Sequence, residues 1–129
     1  RQTNTPLQAL TMLNDLNIMT SARNLAKNAI TQRTEVSQQL EYLFEAVLCR
    51  RPDRHELTVL AREYDLAMKH YYQGEAGKEQ AVELLRFGQP EQFSGGENIL
   101  VPTEHSAKLA SLLIVASLIY NLDEAVTHE

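Results

Sequence analysis

A chain of 129 residues is long enough to bury the core of one domain. Its 43% apolar and 22% charged residues are wrong for a disordered chain and ordinary for a globular one. Acidic residues outnumber basic ones 17 to 12, a net charge of −5, which argues against nucleic acid as a partner because phosphate contacts need a basic face.

The periodicity is helical almost throughout. Thr5-Pro6-Leu7-Gln8 has the form of a helix start: a Thr cap, Pro at the first helical position, and a Gln that completes a capping box. A first helix is therefore expected from about Pro6 to Leu13, with Leu7, Leu10 and Leu13 on one side, until Asn14-Asp15 breaks it. Asp15 can cap a second helix, in which Ile18, Ala22, Leu25, Ala26 and Ala29 recur at three- and four-residue steps. Thr34 reads as the next cap, opening a helix with Val36, Leu40, Leu43, Phe44 and Val47 inward and ending near Leu48.

Arg50-Arg51-Pro52 stops that helix, since a residue before proline is driven out of the α region. Asp53 followed by Glu56 is a capping-box variant. It opens a long helix with Leu57, Leu60, Ala61, Tyr64, Ala67, Met68 and Tyr71 facing the core. Gly74 and Gly77 are expected to bracket a turn before a short helix, Lys78 to Arg86, capped by Gly88. Gly88 to Pro102 reads as one long irregular stretch, in which Asn98 to Val101 is too short for a convincing strand. Thr103 then caps a final helix that is nearly all apolar from Leu109 to Leu122. A membrane span needs about 20 apolar residues, so this shorter run is expected to be a buried core helix and not a membrane insertion. The expected fold is all-α: a single helical domain over residues 1–129, a bundle of five to six helices around a central apolar C-terminal helix.

Chemistry-bearing residues are scattered. His55, His70, His105 and His128 show no paired zinc spacing, and each reads as a solvated surface residue; His105, beside Glu104, is the one able to reach the long loop. The single cysteine, Cys49, excludes an internal disulfide and a multi-cysteine metal site. Arg50 and Arg51 beside it favour a thiolate and a helix C-terminus opposes one, so it reads as a semi-buried inert thiol. The serines lack a nucleophile elbow, and Gly95-Gly96 lacks the lysine and strand of a phosphate loop. No catalytic residue, cofactor or metal ligand is assigned. One polar constellation remains: Asn14 and Asp15 after the first helix, and Asn121, Asp123 and Glu124 closing the last. These groups either cap helix ends or form a composite site for a hard cation, though their spacing matches no calcium loop.

Several segments occur in one order: Thr3-Asn4-Thr5-Pro6-Leu7-Gln8-Ala9-Leu10, Leu13-Asn14-Asp15, Val47-Leu48-Cys49-Arg50-Arg51-Pro52 with Glu56-Leu57, and Asn121-Leu122-Asp123-Glu124 with Thr127 and Glu129. Together they resemble the C-terminal part of the planctomycete-type family called domain of unknown function 1553, over essentially the whole of this chain. Cys49 stands where that family often has Gly, and Leu16 where a Pro often follows Asn-Asp. The family has no established catalytic residues to carry over. The resemblance implies a piece of a large, exported bacterial protein, periplasmic or secreted, whose companions include cytochrome-c-like domains. Arg1 at the start and the lack of a leader segment agree with an excised piece. Cys-x-x-Cys-His is absent here, so a haem would belong to another domain.

Three roles follow as expectations. The first is a structural and interaction module that packs on the remainder of its parent protein. The second is a contributor of Asn14, Asp15, Asn121, Asp123 and Glu124 to a composite enzyme site, in a polysaccharide-processing parent. The third is an acidic docking surface for a cytochrome-like partner.

Overall fold

The computed structural model describes residues 16–86 and 104–127, with side chains placed for residues 17–86 and 105–122. Five helices follow in order: α1 (Leu16–Gln32), α2 (Val36–Leu48), α3 (Arg54–Tyr71), α4 (Gly74–Arg86) and α5 (Glu104–Thr127). Among the described residues there is no strand. The expected helix over Pro6–Leu13, the caps assigned to Asp15, Gly88 and Thr103, the Gly88–Pro102 stretch and His128 lie outside the described residues.

The apolar patterns of the helices dictate how they pack. The first four are striped, and each buries one side: Met19, Ala22, Ala26 and Ala29 on α1, Leu40, Leu43 and Phe44 on α2, Leu60, Tyr64, Ala67 and Tyr71 on α3, Ala81, Leu84 and Leu85 on α4. The fifth is apolar all round. Leu112, Leu113, Ile114, Val115 and Ala116 are consecutive and all 0% exposed, which is more than one full turn with no face left to solvent. A helix of that kind needs neighbours on every side, and α5 has them: it packs against α1, α2, α3 and α4. His105–Leu122 is long and apolar enough to cross a membrane by composition alone, but 67% of it is buried against the rest of this chain. The central C-terminal helix expected from the sequence is what organises the fold.

Two serines buried in the middle of α5 are satisfied locally. Ser111 Oγ donates to the Ala107 carbonyl at 2.8 Å and Ser117 Oγ to the Ile114 carbonyl at 2.7 Å. Such back-bonding lets serine sit in an apolar core without an orphaned hydroxyl.

The outer helices pack in chain order, α1 on α2, α2 on α3, α3 on α4. Arg23 ties α1 to α4: its side chain is 5% exposed, and Nε donates to the Leu85 carbonyl at 2.9 Å. That carbonyl lies in the last turn of α4, where it has no partner within its own helix. Burial holds the guanidinium below its ordinary pKa.

Two local expectations are corrected. Thr34 does not cap α2; Glu35 occupies that position in extended backbone, and its side chain makes no capping bond. The connection is held instead by Gln39, 2% exposed, whose Nε2 donates to the Arg33 carbonyl at 2.9 Å. Gly74 and Gly77 do not bracket a turn ahead of a helix at Lys78. The turn falls on Tyr72 and Gln73, and α4 begins at Gly74, whose φ is +67°. Gly77 lies in the first turn of α4, where a β-carbon would stand 2.7 Å from the His70 carbonyl oxygen and 3.1 Å from that of Tyr71. Its glycine permits close approach of two backbones, which a turn-based reading of glycine does not anticipate.

Candidate functional site

The polar constellation named from the sequence is only partly described. Asn14 and Asp15 lie outside the described residues. Asn121 is exposed on the closing turns of α5 beside Leu122, which is also exposed. Asp123 and Glu124 continue that helix, but their side chains are outside the described ones. The two halves are therefore neither brought together nor held apart among the described residues.

The best-defined polar geometry is the corner between α2 and α3. It begins where α2 ends, at Cys49, in left-handed backbone with φ 58°, its N–H donating to the Glu45 carbonyl. This C-terminal cap turns the chain outward. The thiol is exposed, which corrects the semi-buried position expected for it. Arg50 then folds back over the Phe44 ring, 4.9 Å from its centroid, and grips Glu56 with two bonds, 3.0 Å to Oε1 and 2.8 Å to Oε2. Glu56 Oε1 also accepts the Asp53 N–H at 2.9 Å, and Asp53 Oδ1 accepts the Glu56 N–H at 2.7 Å. The capping box read from Asp53 and Glu56 is thus complete, with an arginine fork added to it. Arg51 makes a looser contact, 3.5 Å to Glu45.

The chemistry of this corner is structural. The Arg50 fork, followed by the Asp53 N–H, holds the Glu56 carboxyl down from its ordinary value of 4.5 to about 2. A carboxyl so acidic stays ionised near neutrality and cannot exchange a proton there. His55 and His105 are exposed, as expected for surface histidines, and His70 is half-buried with its ring edge-on to Tyr71. Burial pushes the Tyr71 hydroxyl up to about 12, so it too is neutral through the physiological range. Among the described residues no group of three or more His, Cys, Asp or Glu is placed to hold a metal ion.

Sequence reasoning passed over two buried polar side chains, Arg23 and Gln39. A signal existed for each. Arg23 falls four residues after Met19 on the inward stripe of α1, and Gln39 directly precedes the inward Leu40 on α2. A polar residue on a core stripe must find a partner, and both find backbone carbonyls.

Residues 1–64 match the family described as PSD1, protein of unknown function (DUF1553). The match takes in the Thr3–Asp15 segment and the whole α2–α3 corner, and it ends at Tyr64, inside α3. Over that half the chain resembles the family its motifs pointed to; the closing Asn121–Glu129 segment falls beyond it. No curated protein and no solved structure shows a significant match to the chain.

Proposed function

We propose that this chain, alike over its first half to the DUF1553 family, is a helical structural and interaction module that packs on the remainder of a large exported bacterial protein and helps it fold. The observation carrying this reading is how the polar groups of the described residues are used. Arg23, Gln39, Asp53 and Glu56 are each engaged at helix ends or connections, and the longest helix is devoted to burial. Those are the features of a scaffold. The exported, multidomain setting and the cytochrome-c-like companion domains rest on the family resemblance.

The test is complementation between pieces. The parent protein lacking this chain is produced alone and together with the chain on a second plasmid. The expected result is that the remainder becomes soluble, and co-purifies with the chain, only when both are present. A remainder that folds with the same melting temperature either way would remove the scaffold role.

A second reading is favoured by one observation: Asn121 and Leu122 are exposed on the closing turns of α5, open to whatever adjoins them. On this reading Asn14, Asp15, Asn121, Asp123 and Glu124 line a polar site completed by the parent, suited to a hard cation or a carbohydrate. A calcium-dependent rise in melting temperature that disappears in both Asp15→Ala and Asp123→Ala would move the weight to this site.

A further inference from the structure

We infer that the outer surface of the α3–α4 hairpin is a self-complementary, salt-sensitive docking face for a second copy of this chain. The two helices pack together, are joined through Tyr72 and Gln73 alone, and both lie on α5, so their outer sides form one side of the bundle. Their charges are segregated. The exposed side of α3 carries Arg54, Arg62 and Lys69 against Asp65; that of α4 carries Glu75, Glu79 and Glu83 against Arg86, while Lys78 is half-buried with its Nζ 4.7 Å from the Tyr72 ring centroid. Like charges at four-residue spacing disfavour an isolated helix, so the run on α4 has a cost, and no ion pair among the described residues offsets it. Among the described residues the ion pairs are Arg50–Glu56 and Arg51–Glu45; none of the hairpin residues just named forms one.

The two ridges are also in register. At ~1.5 Å rise per residue, Arg62 and Glu83 both stand about 16 Å from the middle of the turn, and Lys69 and Glu75 both about 4–5 Å from it. A two-fold axis running along the hairpin would lay α3 of one copy over α4 of the other at equal height. Arg62 then meets Glu83 of the other copy, Lys69 meets its Glu75, and symmetry repeats both pairs. Leu66 and Tyr72, two exposed large apolar side chains, belong to this hairpin. An acidic ridge alone would suit any basic partner, a cytochrome's rim included. A second copy is the occupant that answers the acidic and basic ridges together. Exposed charge pairs bind weakly and a patch of this kind is small, so the association is a transient one.

Sedimentation of the full chain at about 20 mM and about 500 mM salt tests this, because exposed pairs are screened across that range. The expected result is a monomer–dimer equilibrium whose dissociation constant rises roughly tenfold or more with salt. R62E/K69E makes both ridges acidic and E75K/E83K makes both basic, so each variant alone should be monomeric. Mixed in equal amounts they should form a one-to-one heterodimer. A wild-type monomer at low salt, a dimer indifferent to salt, or a mixture that stays monomeric would each overturn the inference. The wild-type salt series decides the matter even if a variant loses helicity. The experiment needs no parent protein, so its failure is separate from failure of the scaffold reading.

Discussion

The two corners that flank α3 solve one problem with opposite materials. At its start the chain turns through Cys49–Asp53, and the turn is fixed by charge: an arginine fork, two carboxylates and two backbone N–H groups. At its end it turns through Tyr72 and Gln73, and the turn is fixed by absence: Gly74 supplies positive φ, and Gly77 leaves room for the carbonyls of α3. The polar corner is built from exposed groups whose strength varies with pH and salt. The glycine corner is steric, and solvent conditions do not tune it. The first can be weakened by degrees, whereas the second should fail abruptly.

The largest effect is accordingly expected at the glycine corner. Gly77→Ala puts a β-carbon 2.7 Å from a backbone oxygen, and backbone cannot swing aside as a flexible side chain does. Helix propensity favours alanine, so a purely local view predicts a gain. We expect a loss of about 1–3 kcal/mol, the range for overpacking a close contact. Chemical denaturation measures it; an unchanged or higher midpoint would mean that α4 shifts away from α3 at no cost. Gly74→Ala is the companion, with nothing within 4 Å of its would-be β-carbon but a φ of +67°. A smaller loss there would separate crowding from backbone strain.

At the polar corner the expected effect is smaller and depends on pH. Glu56 is depressed from 4.5 to about 2 in the folded chain. A depressed carboxyl stabilises the fold fully above its unfolded value and loses that contribution as pH falls through the folded one. The window therefore runs from about pH 5 down to about pH 2. Glu56→Gln keeps an acceptor for the Asp53 N–H and removes the charge that Arg50 grips. Its denaturation midpoint should lie below that of wild type at pH 7 and converge with it near pH 2. The difference should be modest, because the Arg50 and Glu56 side chains are 55% and 30% exposed and solvent screens the pair. Parallel curves across the window would show that the fork adds nothing to the capping box.

The contrast also explains what the sequence made legible. Asp53 and Glu56 are three residues apart, and a capping box is a local motif, so the polar corner could be read directly. The centrality of α5 was equally readable, since an apolar run with no polar face leaves no other place for a helix. The role of Gly77 was not, because it depends on what another helix brings within reach. Arg23 and Leu85 are 62 positions apart, and no local pattern pairs them. The charge ridges of the hairpin were visible residue by residue, but their register depends on where the turn falls, and the turn was misplaced. For the composite site the sequence offered residue types without geometry, and Asn121 is the one member whose side chain is described.

The smallest effect is a gain, again at the polar corner. Cys49 ends α2 in left-handed backbone, φ 58°, and it is the one non-glycine residue with positive φ among those described. A side chain there is crowded by its own carbonyl, at about 1–2 kcal/mol per residue. The family that the chain resembles is expected often to have Gly at this position, the residue that adopts such a cap without strain. Cys49→Gly relieves the strain but loosens the unfolded chain, and the two effects partly cancel. The net expectation is a stabilisation of up to about 1 kcal/mol, read as a higher denaturation midpoint with an unchanged slope. Cys49→Ala serves as the comparison: it keeps the β-carbon and removes the sulfur. If alanine raises the midpoint as much as glycine does, the thiol and not the backbone is what costs stability here. If only glycine raises it, the polar corner holds its arginine fork on a cap that is itself strained.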